Sequence, residues 1–181
     1  MAADLNQLVP EFRPLVVRLL DACEAQGLPM RPFFTLRSPF EQAKLWRQSR
    51  SREQINAQIV KFKTQGANFL AHCIESVGPQ NGPPVTNALP GFSWHQWGEA
   101  VDCFWLVDSK AEWSAQKLLD GRNGYRFCAA EAKSLGLTPG GLWPKLKNWP
   151  HVQLRVDSSP LKACGLTGIE EEMKKLFGST G

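Results

Sequence analysis

The stretch that most constrains this chain runs from Ser93 to Asp102 and reads Ser-Trp-His-Gln-Trp-Gly-Glu-Ala-Val-Asp. It places an imidazole, His95, and the Asp102 carboxylate on either side of Gly98, where the absence of a Cβ permits a backbone turn. Residues 99–105 alternate as in a strand, with Asp102 sharing a face with residues 100 and 104. A carboxylate within so apolar a strand is costly to bury unless a cation neutralises it. The spacing therefore predicts a loop and a strand that present His95 and Asp102 to one metal ion.

A second strand-like segment, Trp-Pro-His-Val-Gln-Leu-Arg at positions 149–155, carries another imidazole. Period-two alternation places His151, Gln153 and Arg155 on one face. The chain has three histidines, and two of them lie in these two segments. Two imidazoles and one carboxylate leave the fourth position of a tetrahedral zinc ion open to water, which is the pattern of catalytic zinc sites. The simpler alternative, two buried hydrogen-bonded histidines and a capped aspartate, accounts less well for this combination.

The motif Ser-x-His-x-x-Gly-x-Ala-x-Asp, followed at a distance by Trp-Pro-His, resembles the zinc peptidases of the D-Ala-D-Ala-peptidase/hedgehog superfamily. Within that superfamily the chain is most similar to the VanY-like L-alanyl-D-glutamate endopeptidases that phages use as endolysins. The similarity covers about residues 33–154. Its first part, Thr-Leu-Arg-Ser-Pro-Phe-Glu-Gln at 35–42, is similar to the family's Tyr-Arg-Ser-x-x-x-Gln segment, with Leu36 in place of the tyrosine.

The resemblance implies a hydrolase that cuts the peptidoglycan stem peptide, at the L-Ala–D-Glu bond, and so degrades the cell wall. It implies one Zn²⁺ per chain, held by His95, Asp102 and His151. Arg37 follows a predicted strand, and its planar fork of donors suits the capture of a carboxylate in the active site, although a surface guanidinium is the alternative. The residues expected to bind substrate or to support the ligands are Ser93, Gln42, Gln153 and Trp143.

The chain differs from the enzymes that it resembles at the position of the general base. They carry an aspartate three residues before the second histidine, and the corresponding residue here is Asn148. An amide cannot accept the proton, and loss of a positioned base lowers the rate by about 10²- to 10⁴-fold. Three interpretations stay open: an inactivating substitution made to obtain a stable protein, a carboxylate from elsewhere such as Glu99 or Glu131, and a zinc-containing domain that binds wall peptides without cutting them.

Two other functions compete with endopeptidase activity. A D-Ala-D-Ala carboxypeptidase would release free D-alanine. In an inert hedgehog-like domain the zinc would be structural, and chelation would then unfold the protein.

Length and charge bound the expected organisation and partners. A chain of 181 residues suits one peptidase domain, residues 1–181, without a separate wall-binding module. The formal net charge of +4 is too small to indicate a nucleic-acid partner. We expect a monomer.

Cysteine pattern and terminal sequence bear on the compartment. The five cysteines form no Cys-x-x-Cys pair, which predicts buried small hydrophobes rather than a thiolate zinc site or a disulfide framework. The first residues lack a basic region followed by an apolar one, and no apolar run suits a membrane span. We therefore expect synthesis in the cytoplasm, no membrane partner, and release to the wall by a holin or a secretion system.

The expected fold is a single α+β domain with a hedgehog/DD-peptidase-like fold, in which a small antiparallel sheet carries the zinc ligands and helices pack around it. Strands are predicted over 31–36 and 99–105. Helices are predicted from about residue 14 to 26, over 40–46, within 44–63, from Lys110 after a Ser109 cap, over 126–135, and over about 168–177 after a Thr167 cap.

Overall fold

A computed structural model describes residues 3–179, so the expectation about the first two residues lies outside the described part of the chain. The chain divides into two compact units. Unit 1 contains the residues up to Leu36 together with Gly98–Val156, and unit 2 contains Arg37–Trp97 together with the residues from Asp157 onward. The described residues combine helices with one small antiparallel sheet, which confirms the predicted α+β class.

Unit 1 contains the whole sheet. Its strands are β1 (Met30–Phe34), β2 (Ala100–Val107), β3 (Lys110–Glu112), β4 (Thr138–Pro139) and β5 (His151–Gln153). The order is β1-β2-β5-β4, with β3 paired to the end of β2, and every pairing is antiparallel. The strands predicted over 31–36, 99–105 and within 149–155 correspond to β1, β2 and β5.

The two faces of β2 differ as the alternation predicts. On one face Val101, Cys103, Trp105 and Val107 are all buried, whereas on the other face only Ala100 is buried. Those first four side chains pack against helices α1 (Arg13–Ala25) and α5 (Gly124–Ser134) in one hydrophobic core. Asp102 points to the opposite face, because successive side chains of a strand alternate.

The helix predicted after Ser109 is wrong. Asp108 and Ser109 have φ values of 48° and 62°, and two successive left-handed residues form the turn that reverses a hairpin. The chain therefore returns along β2 as β3 instead of entering a helix. Positive φ is uncommon outside glycine, so the sequence carried little signal for this turn.

Unit 2 is helical, and its first helices are α2 (Pro39–Arg47), α3 (Arg52–Thr64) and α4 (Asn68–Ser76). The first two begin directly after a serine whose side chain caps the helix. Ser38 and Glu41 form a capping box at the start of α2, and Ser51 and Gln54 form another at the start of α3. The second box separates α2 from α3, so the basic stretch over 44–63 is divided between two helices.

The last helical span, α6 (Pro160–Phe177), is divided by Gly165, whose φ of 65° and ψ of 177° are not helical. The part after this break corresponds to the helix predicted over 168–177, and Thr167 lies two residues after the break. Ile169 and Met173 bury against α4 residues in the core of unit 2. The Glu170 carboxylate accepts hydrogen bonds from two backbone N–H groups in the first turn of α4, where negative charge is favourable.

Four cysteines are buried (Cys23, Cys73, Cys103 and Cys128), Cys164 is exposed, and all five are free thiols. Burial raises the pKa of Cys73 to about 12 and raises that of Cys103 as well, which keeps both protonated. The expectation of small buried hydrophobes is thus confirmed for four of the five. Among the described helices, none has the length and apolar character that a bilayer crossing requires.

Candidate metal centre

Two of the three predicted ligands lie side by side on the sheet of unit 1. Asp102 on β2 and His151 on β5 are direct cross-strand partners, so their side chains share a face. Backbone hydrogen bonds from Cys103 N to Pro150 O (2.9 Å) and from Leu154 N to Glu99 O (2.9 Å) flank this pair. His151 Nδ1 lies 3.0 Å from Asp102 Oδ1. The strand register alone therefore brings together two residues that are 49 positions apart.

Gln153 determines how the His151 ring is oriented. Its side chain is buried, and its Nε2 donates to the Arg155 carbonyl oxygen at 2.7 Å. A carbonyl only accepts, so this bond establishes which end of the amide carries the NH₂ group. The other end, Oε1, lies 3.1 Å from His151 Nε2 and accepts its N–H. A partner of this kind fixes the tautomer and the orientation of a metal-binding histidine.

This tautomer makes the Asp102–His151 contact favourable for a cation. With the proton on Nε2, a neutral His151 directs the lone pair of Nδ1 at the Asp102 oxygen 3.0 Å away. Two acceptors at that distance repel each other unless a second proton or a metal ion lies between them. Nitrogen and oxygen ligands of a tetrahedral zinc ion, each about 2.0–2.2 Å from it, lie roughly 3.3 Å apart. A small opening of the pair therefore accommodates zinc, and the donor set suits it.

The third predicted ligand, His95, belongs to unit 2 and lies in a buried 3₁₀ turn, Trp94–Trp97. The turn is held at its backbone, where Gln96 N donates to Ser93 O at 3.0 Å and the His95 carbonyl accepts from Arg37 N at 3.1 Å. The His95 side chain is buried, and its role as the third ligand stays a prediction from the sequence.

A buried network of amides supports the turn that carries His95. Gln42 and Gln96 are both fully buried, and Gln96 Nε2 donates to Gln42 Oε1 at 3.1 Å. Gln96 Oε1 accepts from Gly91 N at 2.8 Å, and Gln42 Nε2 donates to Ala88 O at 2.7 Å. Arg37 Nη1 also donates to Gln42 Oε1, at 2.9 Å. Gln42 therefore holds Gln96 and Arg37 in place. The role of Gln96 is not predictable from the sequence, because a single glutamine in a turn forms no recognisable pattern.

Gly98 joins this turn to β2 in the conformation that the sequence predicts. Its φ is +67°, and a Cβ at this position would lie 2.9 Å from the Gln7 carbonyl oxygen. Its own carbonyl accepts from Val9 N at 3.0 Å. Both the left-handed backbone and the close approach require glycine.

Two residues named from the sequence lie next to His151 within unit 1. The Trp143 ring centroid is 5.3 Å from that of His151. The Asn148 carbonyl accepts from His151 N at 3.2 Å, while Asn148 N donates to Gly140 O at 3.1 Å. The residue at the family's base position is therefore held close to His151 by its backbone.

Neither of the two carboxylates considered as replacement bases is placed to act as one. Glu99 is buried, and its two oxygens accept from Arg155, with Nη2 at 2.9 Å from Oε1. Glu131 lies on α5, which packs against the core face of the sheet, opposite to Asp102. These placements argue against either residue taking the place of the missing aspartate.

A family comparison identifies the group of proteins to which the chain is related. The VanY family, described as D-alanyl-D-alanine carboxypeptidase, matches residues 6–136, which is more than half of the chain. The matched region starts earlier than the predicted 33–154 and ends before His151. No curated protein sequence matches the chain.

Comparison with solved structures returns similar chains of known activity. The Serratia marcescens L-Ala D-Glu endopeptidase ChiX matches with a TM-score of 0.44 and 19% identity, covering 89% of this chain and 86% of that one. VanYB in complex with D-Alanine-D-Alanine matches with a TM-score of 0.44 and 19% identity, over 96% and 84%. A zinc-bound mutant of the vancomycin resistance D,D-pentapeptidase VanY matches with a TM-score of 0.38 and 18% identity, covering 92% of this chain and 83% of that one.

The family match, which includes both His95 and Asp102, is the finding that assigns the chain. The chain therefore belongs to the VanY family of peptidoglycan-acting zinc peptidases.

Proposed function

We propose that this protein is a zinc-dependent endopeptidase that cuts the stem peptide of peptidoglycan at the L-Ala–D-Glu bond. The observation that carries the proposal is the Asp102–His151 pair, in which Gln153 leaves a lone pair and a carboxylate oxygen facing the same point. His95 completes the ligand set. It precedes Gly98 by three residues, and three trans peptide units span at most about 11 Å.

The ligand set determines what the site can do. Zinc would supply a Lewis acid that polarises the scissile carbonyl and makes water a nucleophile at neutral pH. Two neutral imidazoles and one carboxylate leave a net positive charge, which stabilises the negative charge that develops on the substrate carbonyl oxygen.

The other residues have roles in binding and orientation. Arg37 would bind a carboxylate of the stem peptide, since its guanidinium offers paired donors. Trp143 packs beside His151 and restricts rotation of that ring. Asn148 can donate a hydrogen bond from its amide, but it cannot take a proton, so the chain with asparagine at this position would turn over slowly.

The direct test is to restore the base. Zinc-loaded Asn148→Asp should release new L-Ala carboxyl and D-Glu amino ends from purified peptidoglycan about 10²- to 10⁴-fold faster than the present chain. Asn148→Ala is the matched control and should not gain rate, because it removes the amide without adding a base. If both Asn148→Asp and the present chain stay inert on several wall types, the endopeptidase proposal fails.

The family match also supports a second candidate, a D-Ala-D-Ala carboxypeptidase, because that is the description of the family. Product analysis distinguishes the two: free D-alanine identifies the carboxypeptidase, and new D-Glu amino ends identify the endopeptidase. A third candidate, supported by Asn148, is a domain that binds wall peptides without cutting them. It would sediment with sacculi at low salt and leave them intact.

The setting of the activity is also part of the proposal. We propose a monomer that acts on the wall after release by a holin or a secretion system, and whose partner is the stem peptide. Analytical ultracentrifugation of the full chain would test whether it is a monomer.

A further inference from the structure

Three aromatic side chains, the half-buried Phe33 and Phe104 and the exposed Trp113, form a group in unit 1 that is named here the aromatic cluster. The ring centroids are 5.2 Å apart for Phe33 and Trp113, 5.8 Å for Phe104 and Trp113, and 6.3 Å for Phe33 and Phe104. The Phe33 and Trp113 rings meet edge to face, at 86°. Trp113 is 56% exposed. The two phenylalanines hold the tryptophan in place at the surface of the sheet.

The aromatic cluster lies on the face of the sheet that carries Asp102. Phe104 follows Asp102 by two residues on β2, so it points the same way from about 6.8 Å along the strand. Ala111 on β3 pairs with Leu106 on β2, and Trp113 follows Ala111 by two residues. The face thus runs from the Asp102–His151 pair to the aromatic cluster without leaving unit 1.

The aromatic cluster is not part of the hydrophobic core of unit 1. That core lies on the opposite face, where Trp105 is almost fully buried. A large aromatic group that stays exposed beside a candidate active site is typical of a ligand-binding surface. Tryptophan suits ligands that are apolar on one side and polar on the other.

We propose that the aromatic cluster binds a sugar ring of the glycan strand from which the stem peptide extends. A pyranose presents an apolar C–H face to an aromatic ring and keeps its hydroxyls at the rim. The proposal rests on the proposed function, because it takes the peptide to lie at Asp102 and His151.

Spacing links this sugar to the bond that is cut. The stem peptide joins the glycan through its L-Ala residue, so cleavage after L-Ala leaves the sugar one or two residue lengths from the reacting carbonyl, roughly 3.4 to 7 Å. The upper end of that range matches the separation of about 6.8 Å between Asp102 and Phe104 along β2. Cleavage between the terminal D-alanines would place the sugar at least four residue lengths away, roughly 13 Å or more.

The test measures binding without turnover. The probes are a disaccharide-tetrapeptide and the same tetrapeptide without sugar, titrated calorimetrically into the full chain. We expect the sugar to tighten binding about three- to tenfold, the range that an aromatic contact provides. The gain should vanish in Trp113→Ala and persist largely in Trp113→Phe. Val17→Ala, an exposed residue on α1 behind the sheet, is the matched control and should change neither probe.

The outcomes separate this inference from the proposed function. Equal affinity of the present chain for both probes would overturn it, even if the peptide is cleaved. A dimer that Trp113→Ala dissociates, seen by analytical ultracentrifugation, would also overturn it by assigning the cluster to self-association. Sugar-dependent binding that requires Trp113 supports it, and does so even if no bond is cut, in which case only the peptidase proposal fails.

Discussion

The candidate ligands are held in two different ways. In unit 1, Asp102 and His151 are positioned by backbone hydrogen bonds between β2 and β5. In unit 2, His95 lies in a 3₁₀ turn supported by the buried side chains of Gln42 and Gln96.

The two arrangements differ in which changes of sequence they tolerate. A one-residue slip of β2 against β5 would move every side chain to the wrong face, so the hydrophobic pattern specifies the register strongly. A buried amide network instead depends on each member, because a single lost partner leaves another polar group buried and unsatisfied. Unit 1 should therefore keep its local fold when a ligand is removed, whereas unit 2 should lose stability when one supporting amide is removed.

The largest effect is expected from removing a ligand. Asp102→Ala, His151→Ala and His95→Ala should each lower zinc-dependent cleavage by more than about 100-fold, the upper end of what loss of a supporting residue alone costs. The cleavage assay is run on the Asn148→Asp background, with zinc content measured in parallel. His72→Ala, which changes the third histidine, should have no effect. A ligand variant that keeps full zinc content and activity would contradict the assignment.

A smaller effect is expected at Gln153, which orients His151. Gln153→Leu should weaken zinc binding about 10- to 100-fold, because Nε2–H loses its acceptor and the ring its fixed tautomer. Gln153→Glu keeps an acceptor and should lose less. Competition with a chelating dye measures the affinity, and ¹⁵N NMR of the imidazole reports the tautomer. If the Leu variant retains both the affinity and the Nε2–H tautomer, Gln153 does not orient the ring.

Disruption of the amide network should lower the free energy of unfolding. Gln42→Leu leaves the Gln96 NH₂ group and the Ala88 carbonyl without their partner, and should lower the free energy of unfolding by about 1–3 kcal/mol. Urea denaturation measures the change. The control is Gln58→Leu on α3, whose Nε2 has no hydrogen-bond partner among the described residues, and which should cost less than about 0.5 kcal/mol. Equal losses in both variants would rule out a special role for the network.

The smallest difference between a variant and its control is expected at Gly98. Gly98→Ala and Gly121→Ala each place a Cβ on a left-handed residue, at a cost of about 1–2 kcal/mol. Only at Gly98 does the new atom meet a backbone oxygen, that of Gln7, whereas nothing lies within 4 Å at Gly121. We therefore expect Gly98→Ala to lose about 1 kcal/mol more than Gly121→Ala. Equal melting temperatures of the two variants would contradict the close approach.

Local patterns predicted much of this fold. Alternation identified the core face of β2, and the left-handed Gly98 was expected from its place between a loop and a strand. Such features depend on neighbours in the sequence, so a short window contains the information. The error after Ser109 has the same origin, because its left-handed conformation is not what a serine usually adopts.

The environment of the candidate site was less accessible to prediction. Gln96 was not identified, although it is fully buried and bonds to Gln42, 54 positions away. Glu99 was considered as a base, and only its contact with Arg155, 56 positions away, argues against that role. Partners this distant in the chain leave no periodic signal that a reader of the sequence can follow.

The sequence by itself determined which residues could bind a metal, which strand face Asp102 and His151 occupy and that the chain turns at Gly98, because spacing and side-chain period are local properties. The tertiary structure decided that β5 lies directly beside β2, that Gln153 donates onward and so sets the tautomer of His151, and that an aromatic cluster continues the same face. Those outcomes depend on hydrogen-bond partners brought together from distant parts of the chain, and folding alone determines which partners meet.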